Sequence, residues 1–284
     1  MAARDNDRAT VRRVLALGRC TLFHGVSPAE LAILAENAIE TEIPPGTTLA
    51  EAGHRLSAVH VIVEGEIASG GQRWEVHDAF GAMEVFADRT VAAAATTTSA
   101  TRTLQLDAED LTEILEDNFG VLLASLRSVA LRSREPIVDT DPMPLAPAPL
   151  GLIDRLFLLR RHPVFARASV RSLATLAHAA QPVVWEPGVR IVHAAQPAAA
   201  VHIVVAGSVR RIDEPIDDPV DVGAGAMFGL VDTLANAPSS ASFDAVGAVH
   251  GLMTPSAALL DVLEEHSDLG IAMLAALARV TFER

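Results

Sequence analysis

The chain has 284 residues, half of them hydrophobic, with a mean hydropathy of +0.31 and a formal net charge of −14. That length suits two domains with a core each, and no run of about 18 apolar residues offers a membrane span. The acidic balance repels phosphate backbones and argues against bulk nucleic-acid binding.

The N-terminus, Met1 to Arg8, is polar and lacks the apolar centre of a signal peptide. Cys20 is the single cysteine, so no disulfide framework exists; an inert helix-end thiol in a reducing cytoplasm is the expectation. Val11, Val14 and Leu15 sit at helical spacing, in a helix ending near Gly18. Ser27 before Pro28 predicts an N-cap with proline at the first helical position, and Glu30 completes a capping box. Leu31, Leu34 and Ala35 give that helix its apolar face. From Glu40 to about Leu106 the chain turns to short β-rich runs cut at Pro45-Gly46, Ala52-Gly53, Glu64-Gly65, Gly70-Gly71 and Phe80-Gly81. Such spacing predicts a closed or double-sheet β barrel. Asp107 then caps a helix carrying Leu111, Ile114 and Leu115 on one face, and a second apolar helix runs from Val121 towards Arg134. Prolines crowd the stretch from Pro136 to Pro149, read as an extended linker over residues 136–150.

After the linker the chain repeats itself. Val59 to Ile67 aligns without a gap on Val201 to Val209, 142 residues further on, and the shared pattern is a β-branched run entering a glycine turn. At the same offset Phe23, Ser27, Leu31 and Leu34 match Phe165, Ser169, Leu173 and Leu176. The offset then becomes 148, the second copy being six residues longer around the acidic Asp213 to Asp218. Beyond it Phe80-Gly81 matches Phe228-Gly229, and Leu111, Leu115, Leu126 and Ala130 match Leu259, Leu263, Leu274 and Ala278. The expected organisation is a first domain over 1–135 and a second over 151–284. Each is of α+β class, mainly β: a β-roll or jelly-roll barrel flanked by N-terminal and C-terminal helices.

A helical lead-in, a glycine-punctuated roll, a Phe-Gly turn and two closing helices resemble the cyclic nucleotide-binding domain family. That family includes catabolite-activator-type regulators and regulatory subunits of cyclic-nucleotide-dependent kinases. The resemblance covers nearly all of both copies. It implies a non-enzymatic regulatory or sensor protein, with cyclic AMP or cyclic GMP as the ligand to be tested. It also implies a phosphate-binding cassette shaped Phe-Gly-Glu, with an arginine nine residues after the glutamate. There a short helix and exposed backbone N–H groups receive the phosphate, the arginine pairs with it, and the glutamate holds the ribose hydroxyl.

This sequence departs from that pattern at all four key positions. In the first copy, Phe80-Gly81 is followed by Ala82 at the glutamate position, and Thr90, Val91 and Ala92 put valine at the arginine position. In the second copy, Phe228-Gly229 is followed by Leu230, and Ser239 stands at the arginine position before Ser240. An unpaired ligand charge costs roughly 2–5 kcal/mol and an unpaired hydroxyl about 1–3 more, enough to turn micromolar binding into millimolar. The second pocket is therefore expected to be vacant. The first keeps one rescue, Glu84 and Arg89, each two residues from the standard position; the bland reading of both is solvated surface charge.

Other chemistry finds little support. His60 and His202 occupy matching strand positions, but no His-x-His or Cys-x-x-Cys pair accompanies them, so histidines facing solvent or a neighbouring hydroxyl are expected. No Gly-x-Ser-x-Gly or phosphate-loop motif is present. Trp185, matching Ile43, reads as a strand core residue. The apolar closing helices, 121–130 and 271–280, need a surface to bury them: the other copy, a second chain or a partner protein. Two readings stay open, a sensor working through the first copy and a pseudo-sensor scaffold that binds no nucleotide. A transcription regulator is disfavoured, since no helix-turn-helix is read after Ala278.

Overall fold

The computed structural model describes residues 2–133, 137–138, 150–213 and 219–282, without side chains for 2–8. The N-terminal segment forms helix α1 (Ala2–Arg19), followed by a short 3-10 turn at Thr21–Phe23 and α2 (Pro28–Asn37). The predicted capping box is present: Glu30 N donates to Ser27 Oγ at 3.3 Å, and Ser27 N donates to Glu30 Oε2 at 3.2 Å. The strands follow as β1 (Ile39–Ile43), β2 (Thr48–Ala50), β3 (Ala58–Glu64), β4 (Ile67–Ser69), β5 (Gln72–Trp74) and β6 (Ala79–Phe80). Helix α3 (Ala82–Ala87) interrupts before β7 (Ala95–Thr97) and β8 (Thr101–Asp107), and α4 (Ala108–Asp117) and α5 (Phe119–Ala130) close the copy. Asp107 caps α4 as expected, accepting from Glu109 N at 2.8 Å.

Of the expected linker, residues 137–138 form strand β9 (Ile137–Val138), and the rest lies outside the described residues, apart from Leu150. The second copy then runs α6 (Leu152–Arg161), α7 (Val170–Ala179), β10 (Gln181–Trp185), β11 (Arg190–Val192), β12 (Ala200–Ala206), β13 (Val209–Asp213) and β14 (Val220–Val222). It ends with β15 (Ala226–Phe228), α8 (Leu230–Ala235), β16 (Ala241–Ala245), β17 (Val249–Pro255), α9 (Ser256–Glu265) and α10 (Ser267–Phe282). Residues 214–218 of the acidic insertion lie outside the described residues.

Two antiparallel sheets build each copy, in the same order twice. The first copy has β1-β8-β3-β6 and β2-β7-β4-β5; the second has β10-β17-β12-β15 with β9 added at its edge, and β11-β16-β13-β14. Among the described residues no ladder joins the two sheets of a copy, so each is a double-sheet roll and not a closed barrel. The sheets of the first copy meet in a core of Ile62, Ile67, Phe80, Val91 and Ala95. Those of the second meet in Val204, Val209, Phe228, Phe243 and Val249. Even the register shifts repeat, between Ile62 and Glu64 and again between Val204 and Ala206. By contact the chain divides into two compact units, Met1–Val129 with Leu277–Arg284, and Ala130–Ala276.

Two sets of sequence differences between the copies compensate one another. Ser172 stands where the first copy has Glu30, which would leave the second cap without its carboxylate. Asp268 supplies it, accepting from Ser169 N and Ser172 Oγ at 2.8 Å each. Its counterpart in the first copy is Gly120, where any Cβ would overlap the Glu30 carboxylate. One carboxylate per cap is kept, on either helix.

A second exchange surrounds the paired histidines. His60 is buried with its Nδ1 3.4 Å from Thr103 Oγ1. In the second copy Thr103 becomes Gly251, and Ile43 becomes Trp185, whose ring lies where a Cβ on Gly251 would stand. His202 accordingly meets rings: its centroid is 5.5 Å from Trp185 and 5.0 Å from Phe228. Its Nδ1 is buried without a partner among the described residues. Neither histidine faces solvent, which corrects half of the expectation; the neighbouring hydroxyl is found for His60 alone. Burial lowers both pKa values to about 4, so both rings are neutral near pH 7.

Candidate functional site

Each cassette begins where a strand ends on phenylalanine and a glycine turns left-handed. Gly81 has φ +83° and Gly229 φ +82°, and a Cβ on Gly229 would overlap the Ala200 carbonyl. The six-residue helices α3 and α8 follow, ending at Asp88 and Asn236, both also left-handed. The backbone of the cassette is thus kept in both copies, and the differences lie in the side chains.

In the first copy the arginine position is filled with hydrocarbon. Val91 is 2% exposed and packs in the roll core with Phe80 and Ile62, beside Trp74 and Leu56. Trp74 meets Phe80 edge-on, with centroids 5.2 Å apart. Ala82, at the glutamate position, is buried. Thr90 and Ala92 are exposed, Thr90 bridging to Arg55, which ion-pairs with Asp88 across the turn. Glu84 and Arg89 are not brought together through their side chains; what joins them is Arg89 N donating to Glu84 O at 2.9 Å. The Arg89 guanidinium lies outside the roll core, 5.1 Å over the Phe282 ring. Glu84 is half-buried, and burial raises its pKa.

The second cassette is closed by different groups. Leu230 is fully buried at the glutamate position, and Ser239 is buried at the arginine position with no partner for its Oγ among the described residues. Phe243, one strand further on, stacks on Phe228 with centroids 4.3 Å apart and occupies the roll interior. Asp232, buried two residues past Leu230, accepts a hydrogen bond from Ser240 N at 3.2 Å. Burial raises its pKa, opposed by the hydrogen bonds from Ser240 and the charge of Arg211. These residues border a cavity of about 330 Å³ lined by Arg211, Val231, Asp232, Ala235, Pro238 and Ser240, among others. Asp232 was not singled out from sequence. The available signal is its match to Glu84 at the offset of 148.

Among the described residues no group of three or more His, Cys, Asp or Glu is placed to hold a metal, and no helix is long and apolar enough to cross a membrane. The apolar residues of the closing helices, Val121, Leu122 and Leu126 in α5 and Leu274 and Leu277 in α10, are buried within this chain.

No protein-family model matches the chain, and no curated protein matches it either. Solved structures do. The chain is similar to a regulatory subunit of a cAMP-independent protein kinase A from Trypanosoma brucei, at 17% identity and TM-score 0.37, over 91% of this chain and 89% of that one. It is similar to the regulatory domain of Toxoplasma gondii PKA, crystallised with cAMP, at 17% identity and TM-score 0.37, over 92% and 94%. One copy's length, 44% of this chain, is similar to the sensor domain of the transcriptional regulator DNR from Pseudomonas aeruginosa, at 22% identity and TM-score 0.39, covering 91% of that chain. Overlaps of this size carry no assignment by themselves; the fold description rests on the sheet order and register above.

Proposed function

We propose that this chain is a non-enzymatic regulatory module of cyclic nucleotide-binding type, in which both cassettes are occupied by the protein's own side chains and bind no cyclic nucleotide. The observation that carries this reading is Val91. Where a guanidinium would meet the phosphate, the first copy has an aliphatic side chain sealed into the roll core. The second copy supports the same reading differently. Leu230 offers no acceptor for a ribose hydroxyl, Phe243 fills the interior, and Asp232 holds the Ser240 N–H that is otherwise free to receive an anion. A carboxylate at that place also repels a phosphate.

On this reading the retained rolls serve as a scaffold for a protein partner, or for self-association. The closing helices bury their apolar residues within the chain, so the partner surface belongs to what remains exposed. A second reading, a nucleotide sensor in the first copy, is favoured by one observation: Arg89 is exposed and, among the described residues, held only by a ring contact and its backbone. Thermal unfolding with millimolar cyclic AMP and cyclic GMP separates the two, because a ligand at 100 times its Kd adds about 2.7 kcal/mol to stability. An unchanged Tm is expected. A rise abolished by Arg89→Ala would establish the sensor in place of the scaffold.

A further inference from the structure

Away from both cassettes, a cleft of about 360 Å³ opens between α1 and the outer face of the first sheet. Four arginines border it: Arg12, Arg13 and Arg19 from α1, and Arg102 from β8. Arg12 and Arg19 are seven residues apart and so share one helix face. Among the described residues one carboxylate, Glu40, lines the cleft; Arg102 holds it at 3.1 Å and also pairs with Glu64. The guanidinium groups of Arg12 and Arg19 make no hydrogen bond or ion pair among the described residues. The Nε atoms of Arg13 and Arg102 are buried without a partner among the described residues. In a chain of net charge −14, Arg12 and Arg19 therefore add positive charge to the cleft with no carboxylate partner among the described residues, while Arg13 donates to Ala35 O. The accessible lining is otherwise apolar: Val63 is half-buried there, and Val76 and Leu15 are exposed.

The second copy shows that this cleft is not simply a by-product of the fold. Arg13 and Arg19 are kept there as Arg155 and Arg161, but Arg12 is replaced by Asp154, and Arg102 by His250. At its edge, His77 holds a left-handed backbone with φ +78°, fixed by His77 N donating to Ile62 O and Thr21 N donating to His77 O. The second copy has the same conformation at Gly225, φ +82°, where it carries no strain. The first copy thus keeps a strained histidine where glycine would serve, and strain of that kind gathers at binding sites.

We infer that this cleft binds a small organic anion with an aliphatic body, its carboxylate held by Arg12 and Arg19 and its chain on Leu15, Val63 and Val76. The volume and lining, apolar side chains with a few convergent polar groups, suit a small ligand better than a flat protein contact. Arginine is matched to a carboxylate by its planar pair of donors.

Calorimetric titration of the full chain with octanoate tests this, with octanol and inorganic phosphate as controls. Octanoate is expected to bind, more weakly as salt is raised, and octanol and phosphate each to bind at least tenfold less tightly. The exposed pair Arg12→Ala and Arg19→Ala, checked for an unchanged melting curve, is expected to weaken octanoate at least tenfold. Absence of octanoate binding would overturn the inference, as would binding that the double variant leaves intact. Binding of phosphate as tight as octanoate would overturn the aliphatic half of it. None of these outcomes depends on the cassettes, since a cyclic nucleotide effect lost on Arg89→Ala but kept in the double variant belongs to the first cassette instead.

Discussion

Asp232 Oδ2 accepts a hydrogen bond from Ser240 N at 3.2 Å, closing the second cassette with a side chain of its own helix. The carboxylate is buried, and burial raises its pKa above the ordinary 3.8. A raised acid pKa means the folded state holds the proton more tightly than the unfolded chain. This group's contribution to stability therefore falls as pH rises from 3.8 through its raised value. Asp232→Asn keeps an acceptor for Ser240 N and removes the charge. Denaturant unfolding is expected to show Asp232→Asn equal to or more stable than wild type at pH 7, with the difference vanishing in acid. A loss of more than about 1 kcal/mol at pH 7 would mean that the charge itself is needed.

Restoring the missing arginine tests the first cassette. Val91→Arg places a guanidinium in the core formed with Phe80, Ile62 and Ala95. An uncompensated buried charge costs roughly 3–5 kcal/mol, so the variant is expected to melt far below wild type. Millimolar cyclic AMP should not recover that loss, because Ala82 still offers nothing to the ribose. Full recovery would show that the roll can still open around a nucleotide.

The buried histidines set the acid side of stability. His60 and His202 have pKa values lowered from 6.5 to about 4 by burial. Between those limits the unfolded chain binds protons that the folded chain refuses, so stability falls as pH drops from 6.5 to 4. Each ring accounts for roughly 3 kcal/mol at most by this route. Denaturant midpoints measured across that range should decline steadily. His202→Phe, which suits the rings of Trp185 and Phe228, should make the decline shallower; an unchanged slope would place the acid sensitivity elsewhere.

The exchanged cap carboxylate makes a reciprocal prediction. Asp268 is partly desolvated, which raises its pKa, but hydrogen bonds from Ser169 and Ser172 outweigh that and hold it below the usual range. Its contribution is present above the ordinary pKa and is lost as pH falls through the depressed value. Asp268→Ala should cost about 1–2 kcal/mol at pH 7, the usual value of a capping interaction. Ser172→Glu combined with Asp268→Gly, which like Gly120 leaves no Cβ against the carboxylate, should return part of it by rebuilding the arrangement of Ser27 and Glu30. Purely additive losses in the double variant would contradict the exchange.

What could be read from sequence was what is local or repeated. Ser27-Pro28-Glu30 announced its cap because the partners lie three residues apart, and the match of Val59–Ile67 to Val201–Val209 announced two similar folds. Features built from distant residues were not legible. Nothing near Ser169 points to Asp268, and nothing near His202 points to the paired change of Thr103 to Gly251 and Ile43 to Trp185. The same holds for the site. The departures at Ala82, Val91, Leu230 and Ser239 stood in plain view. The groups that fill the space, Trp74 and Phe243, and the carboxylate at Ser240 N required coordinates. Of the two expected forms, closed or double-sheet, the double-sheet roll is the one found; glycine spacing marks the turns but not whether sheet edges pair.

The measurement that bears most directly on the sealed cassettes is the melting temperature of the full chain with and without millimolar cyclic AMP or cyclic GMP. With Val91 in the core and Asp232 on Ser240 N, neither nucleotide should move Tm in wild type. A rise of several degrees, as about 2.7 kcal/mol of ligand stabilisation would give, would contradict the account.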